Sequence, residues 1–414
     1  MKVARRYLLV EIYSISDNDE KIESEVNIVK KILIVNNNMN IGGVQKALVS
    51  LLHVLKDYYD VTLLLFCANG ELMNEIPPEV RVTEVRGIFK YLGISQGECK
   101  STKDKLVRGF LATIARIIGF KWSIKLMYIL GRREEFAGYD VAISYLHCAM
   151  PKSFYGGVAE YVQYYVKAKK KICYVHCDYI NSGTVTPYSK SIYMKYDTII
   201  GVSKSVVAQF IKVVSQMREK TIAIYNPIDV QKIKSDAQKN PYEYNGNYVN
   251  CLTVARLSSE KGVDRFIRVL EKLNSDRIRY YVVGSGNEYQ RIEALIHKKG
   301  LDGSVFLLGE KDNPYRFMIN ADMLVVPSYH EAAPVVFQEA RVLGLPVFTT
   351  NTLSAKEMIS DRYGIVVDNT EEAMVNGMRQ IISDKKSMSD VRKNLECHQC
   401  GDDDVLGAIK MVLG

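Results

Sequence analysis

The strongest constraint on the fold is an alternation of strand and helix signals that runs along the chain, stops, and starts again. The aliphatic run KILIV (31–35) ends in the polar, glycine-containing NNNMNIGG. KALVSLLHVLKD then repeats apolar residues at helical spacing, and YDVTLLLF is a second strand-like run. Strand, glycine loop, helix and strand in that order begin a parallel α/β layer. Further buried-strand runs follow at YDVAISYL (139–146), KKICYVH (170–176) and YDTIIGVS (196–203). The turn signal YNPID (225–229) and the polar QKIKSDAQKNPYEYNGN close this half. The pattern then restarts with YVNCLTVARL, VDRFIRVLEKLN, RYYVVGSG, EYQRIEALIHKKG, SVFLLGE, PYRFMINA and DMLVVPS, read as strand, helix, strand, helix, strand, helix and strand. The expectation is an α/β chain of two Rossmann-like, doubly wound parallel-sheet domains facing across a cleft, a common place for a ligand. The two halves share this architecture without an obvious sequence repeat. The segments read as an N-terminal extension (1–28), a first domain (29–225), a second domain (226–395) and a C-terminal segment (396–414) that packs back on the first domain.

A length of 414 residues suits two domains with a core each. Hydrophobic residues at 47% and charged residues at 25% argue against disorder. No apolar run reaches the ~20 residues of a membrane span. The start, MKVARRYLLVEIYSISDNDE, lacks a small-residue cleavage site and reads as an extension, not a signal peptide. A net charge of +8 is modest for this length, and no nucleic-acid partner is expected. Eight scattered cysteines read as reduced thiols. CHQC (397–400) has no second ligand pair after it, so a surface thiol pair is the better reading than zinc.

The segment YHEAAPVVFQEARVLGLPVF (329–348) places Glu331 and Glu339 eight positions apart. Pro334 suits the first position of a helix and Gly344 the position after its end, giving a helix over 334–343. Glu331 then precedes the N-terminus, and Glu339 lies about 7.5 Å further along the axis at ~1.5 Å per residue. The free amides near 333–336 make an anion site. A phosphate there would have a carboxylate on each side, and carboxylates accept hydrogen bonds from sugar hydroxyls. Taken alone, the segment reads equally as a dipole-favoured Glu followed by an exposed helical one.

Three other loops follow strands. In ARLSSEKG (255–262), Arg256 and Lys261 could neutralise a diphosphate, one as a fork and one as a point charge; an isolated pair like this is more often solvated. In NIGGV (40–44), Gly42 and Gly43 allow close backbone approach, without the dinucleotide fingerprint. VVGSGNEYQ (282–290) has a Gly-x-Gly but no third glycine, and reads as a structural turn. His176 ends a strand, where open α/β sheets place ligands, although a satisfied core histidine is the plainer reading.

Together these pieces resemble the retaining glycosyltransferases of family four, which have the two-Rossmann GT-B fold. The similarity covers about residues 30–390. It is carried by GGVQKAL, YVHCDY, YDTIIGVSKSV, YNPID, VARLSSEKGVDRFI, VVGSGNEYQRI, FLLGEKDNPY and ADMLVVPSYHEAAPVVFQEARVLGLPVFTTN. The Glu331-x7-Glu339 frame is its strongest single item. The resemblance implies a nucleotide-sugar donor, UDP-linked by the commonest case, and neither a metal nor another cofactor. It implies that Arg256 and Lys261 bind the leaving diphosphate and that Glu339 holds the ribose. Glu331 and the amides around Ala333, Val335 and Val336 would contact the sugar, and Ser328 matches the serine often found before the first glutamate. His176 would lie at the reaction centre. Gly42 and Gly43 would approach the diphosphate from the other domain, and the loop from Gly309 would cover the base. His176, Glu331, Arg256 and Lys261 are thus the catalytic candidates.

Two departures stand out. Ala332 and Ala333 replace the usual Gly and bulky residue, and Val44 and Gln45 replace the usual Ala-Glu. Both touch the sugar or acceptor edge and not the diphosphate positions. A sugar-nucleotide epimerase of the same fold and a non-catalytic sugar-nucleotide-binding protein are the alternatives.

Residues 105–133, KLVRGFLATIARIIGFKWSIKLMYILGRR, are basic and apolar together. From Lys103 to Arg133 there are eight Lys/Arg against one acidic residue, Asp104. This reads equally as two core-packing helices with solvated basic faces or as a surface touching anionic lipid. The second reading fits enzymes that extend lipid-linked or oligosaccharide acceptors for a bacterial surface polysaccharide, at the cytoplasmic face of the membrane.

Overall fold

The computed structural model describes residues 29–99, 101–130, 136–359, 363–383 and 403–414. The extension 1–28 and the CHQC pair lie outside the described residues. The first sheet contains β1 (Lys31–Asn36), β2 (Asp60–Leu65), β3 (Arg81–Glu84), β4 (Phe136–Ser144), β5 (Val166–Val175), β6 (Thr198–Gly201) and β7 (Thr221–Ala223), in the order 3-2-1-4-5-6-7. The second contains β8 (Val249–Val254), β9 (Ile278–Val283), β10 (Val305–Gly309), β11 (Met323–Val326), β12 (Val347–Thr350) and β13 (Gly364–Val367), in the order 10-9-8-11-12-13. Neighbouring strands pair in parallel in both sheets.

Helices cover both faces of a doubly wound sheet, so its central strands are apolar throughout instead of alternating. In β1 and β2 every residue after the first is buried. The sequence reading passed over β3, β7, β12 and β13. Each has three or four residues, too few to show a period, and β3 is a largely exposed edge strand.

Each sheet changes winding direction beside its first strand, between β1 and β4 and between β8 and β11. Ligands of such sheets bind outside the carboxyl ends of the strands at these switch points. The loops carrying Gly42, Arg256 and Glu331 follow β1, β8 and β11.

Two devices hold the second-domain loops in place. Gly262 has φ 66°, and a Cβ there would fall 2.1 Å from the Pro327 carbonyl oxygen. The loop of Arg256 and Lys261 therefore packs directly on the loop that leads to Glu331. Arg265, with 2% of its surface exposed, donates from Nε to the Pro327 carbonyl (2.6 Å). Its Nη2 donates to the Ser328 carbonyl (2.9 Å) and to Asn369 Oδ1 (2.7 Å), and its guanidinium lies 4.0 Å from the Tyr329 ring centre.

The domains also meet beside the cleft. Glu357 accepts hydrogen bonds from the amides of Lys204 (2.7 Å) and Ser205 (2.8 Å) at the start of the helix Lys204–Val213, where the dipole favours a carboxylate. Ala47, from the first domain, is fully buried in an apolar cluster of the second. The C-terminal helix Asp403–Leu413 returns to the first domain. Ile409, Val412 and Leu413 join its core, and Lys30 and Lys170 donate to the carbonyls of Leu413 and Val412.

Candidate active site

A cleft of about 1110 Å³ opens between the two sheets. Gly42, Gly43, His176, Arg256, Lys261, Glu331, Ala333, Val335, Val336 and Glu339 all line it. Gly309 does not. Its positive φ of 72° turns the chain at the end of β10, its carbonyl accepts from the Gly284 amide, and the next residues, Glu310 to Asp312, reach the cleft instead.

The helix of the Glu331–Glu339 frame runs from Val335 to Val342, with Pro334 just before it and Gly344 (φ 62°) just after. The sequence reading placed Pro334 one position further in. No side chain caps the N-terminus, and Val335 and Val336 at its start line the cleft, with the macrodipole behind them. Glu339 is not the exposed helical residue that periodicity allowed. It is 3% exposed, and its Oε1 accepts from the Tyr315 hydroxyl (2.8 Å) and from Lys46 Nζ (3.3 Å). Burial, then the Glu339 charge, holds the Tyr315 phenol well above its ordinary pKa, so it remains a donor.

Glu331 sits in the loop before the helix. Its Oε1 accepts from Lys261 Nζ (2.7 Å) and Ser328 Oγ (2.7 Å). The structure thus joins two residues that the sequence reading assigned to different parts of a ligand. Arg256 donates to Glu260, four residues on (3.1 Å), with 70% of its side chain exposed to the cleft and solvent. Such a pair holds Arg256 weakly and leaves it free to turn to an anion.

His176 is half-buried after β5, against the rings of Tyr145 and Tyr174. Burial, and secondarily His147, pushes its pKa down to about 3, so the imidazole is neutral at physiological pH. Its Nε2 is buried without a hydrogen-bond partner among the described residues. The residue lines the cleft while this ring nitrogen stays inside the wall.

Three parts of the site went unread in the sequence. Lys46 and Tyr315 meet at Glu339 from different domains, which no local spacing signals. The Gly-x-Gly of VVGSG is more than a turn: Gly284, Ser285 and Gly286 line the cleft. Both glycines have positive φ, and a Cβ on Gly286 would fall 2.3 Å from the Leu257 carbonyl oxygen. Gly42, by contrast, is extended (φ −174°) and has no conformational need to be glycine. Ala332, one of the two departures, is buried in the first domain's apolar cluster.

The same two-sheet arrangement occurs in solved structures. Anabaena Alr3699/HepE in complex with UDP-glucose superposes with a TM-score of 0.66 at 16% identity, over 92% of this chain and 99% of that one. The glycosyltransferase WaaG, involved in lipopolysaccharide biosynthesis, gives a TM-score of 0.56 at 16% identity, over 92% and 98%. The fold is GT-B. Within this GT-B chain, residues 234–396 match the family Glycosyl transferases group 1. Among curated relatives, the N-acetylgalactosamine-N,N'-diacetylbacillosaminyl-diphospho-undecaprenol 4-alpha-N-acetylgalactosaminyltransferase of Campylobacter jejuni is 27% identical over 47% of this chain and 53% of its own length. The lipopolysaccharide glucosyltransferase WaaG of Escherichia coli is 34% identical over 30% and 33%. The GT-B chain thus spans about half the length, or less, of these relatives. Among its described residues no group of three or more His, Cys, Asp or Glu is placed to hold a metal ion.

Proposed function

We propose that this protein is a retaining glycosyltransferase of family four. It moves a hexose or N-acetylhexosamine from a UDP-sugar to a lipid-linked or saccharide acceptor in bacterial surface polysaccharide synthesis. The observation that carries this reading is the two ends of one uncapped helix. Glu331 stands before its N-terminus, Glu339 is buried along it, and Lys261 and Arg256 lie beside it in the same cleft. A diphosphate at the helix start places a ribose at Glu339 and a sugar at Glu331. As the glycosidic bond breaks, negative charge grows on the departing diphosphate, and preorganised cations and amides stabilise it without reorganising. Neutral His176 packs beside the sugar.

Calorimetry with UDP and UMP tests the assignment. Arg256→Ala should weaken UDP by roughly tenfold or more, since a charged hydrogen bond contributes about 1.5–3 kcal/mol. It should weaken UMP less, because UMP lacks the second phosphate. Glu339→Gln should weaken both alike. If neither nucleotide binds the wild type, the reading fails. Hydrolysis of the donor without acceptor separates an enzyme from a mere binder, and the anomeric configuration of the product decides retention.

The acceptor reading extends to the membrane. Leu106, Phe110 and Ile117 on the helix Thr102–Ile118 are each at least 67% exposed and share one face by their spacing. Trp122 and Ile129 are exposed on the next helix, Phe120–Leu130. Lys121 and Lys125 both lie over the Trp122 ring, and Arg116, near the end of the preceding helix, is exposed. Exposed apolar residues rimmed by cations fit an anionic bilayer surface, here its cytoplasmic face. Arg108 does not belong to this rim. It is buried, donating to the carbonyls of Ile94 and Phe154. Arg132 and Arg133 lie outside the described residues. No described helix is long and apolar enough to cross a membrane. Changing Arg116, Lys121 and Lys125 to Gln should reduce cosedimentation with anionic liposomes, as should high salt. A wild-type protein that ignores such liposomes at low salt defeats this proposal.

A further inference from the structure

Lys46 has no place in the roles assigned so far, yet it joins the two domains at the centre of the cleft. It sits on the first-domain helix Gly43–Leu55, one turn from the glycine loop. Its ammonium crosses to the second domain, 3.3 Å from Glu339 Oε1 and 5.1 Å from the Tyr315 ring centre. The lysine side chain is 26% exposed and the glutamate 4%, so the pair is screened far less than a surface bridge. Neighbouring contacts draw the same helices together. Ala47 is buried in the second domain's cluster, and a Cβ at Gly43 would lie in ordinary contact with Val335 Cγ2. Both hydrogen bonds to Glu339 fall on Oε1, one from each domain.

We propose that Lys46 is a positioning residue: by holding Glu339 from the opposite domain, it couples the orientation of the ribose-binding carboxylate to closure of the cleft. This rests on the reading of Glu339 given above. Lys46 acts through Glu339 and not on the phosphates, which separates it from Arg256 and Lys261. A ligand whose ribose engages Glu339 then binds the closed arrangement better than the open one, and its affinity includes the work of closing.

A double-mutant cycle and a scattering measurement test this together. Lys46→Met should weaken UDP and UMP by the same factor, roughly tenfold, raising the donor KM while kcat changes little. Lys46→Arg should restore most of the loss. In the Glu339→Gln background, Lys46→Met should cost nothing further, because residues that act as a unit are not additive. Without ligand, Lys46→Met should increase the radius of gyration relative to wild type in small-angle scattering. A larger loss for UDP than for UMP, or additive losses in the cycle, would assign Lys46 to the phosphates and overturn the proposal. If the wild type binds neither nucleotide, the glycosyltransferase reading fails, and the ligand-free scattering decides the coupling alone. An unchanged radius of gyration would then refute it.

Discussion

Glu331→Gln should lose turnover by about tenfold or more, since a hydrogen bond to a charged group contributes about 1.5–3 kcal/mol, while UDP binding holds or tightens. The structure supplies the reason for the second half. Lys261 Nζ lies 2.7 Å from Glu331 Oε1, in a pair whose side chains are 25% and 10% exposed. Neutralising the glutamate releases the lysine to the phosphates. UDP has no sugar for Glu331 to hold, so nothing is lost in exchange. Lys261→Met should lose both turnover and UDP affinity, since it removes the cation and strands a nearly buried carboxylate. The double variant should bind UDP no worse than Lys261→Met alone. Steady-state kinetics and calorimetry on the three variants check this. A fall in UDP affinity with Glu331→Gln equal to that with Lys261→Met would mean that the two serve only to hold the loop.

Arg265→Met should destabilise the second domain by about 3–5 kcal/mol, the cost of breaking a buried, charged hydrogen-bond network. The methionine fills much of the space, but the carbonyls of Pro327 and Ser328 and the side chain of Asn369 lose a donor. Arg265→Lys should recover only part of this, because an ammonium cannot reproduce the planar fork. The same bonds fix the loop that leads to Glu331, so turnover should fall even where the variant remains folded. Denaturant melts and activity at low temperature separate the two effects. A variant as stable as wild type would show that the loop is held mainly by Gly262 packing on Pro327.

Much of this protein is legible along the chain because its strands are local. KILIV, YDVTLLLF and DMLVVPS each carry an uninterrupted apolar run, and a strand buried on both faces needs nothing more. The helix of the Glu331–Glu339 frame is marked by Pro334 and Gly344, two residues whose backbone preferences act within a turn of the chain. The glycine loops and the cations of ARLSSEKG follow strands, and the carboxyl ends of parallel strands gather on one edge of a sheet. The sequence by itself therefore determined two doubly wound sheets, and all but Gly309 of the site residues it named line the cleft between them.

It did not determine what each residue there touches. Helical spacing tells which face Glu339 occupies, but not that Tyr315 and Lys46 converge on it. Lys46 lies 293 positions away, in another domain. Lys261 and Glu331 are 70 positions apart and looked like contacts for different parts of a ligand, until the packing of Gly262 on Pro327 brought their loops together. Arg108 counted as one more basic residue of an amphipathic segment, and only the neighbouring loops turned it inward. Charges and hydrogen bonds are satisfied by whatever the fold brings within about 3 Å. That distance is set by how the two domains and their loops pack, and no local pattern of residues carries it.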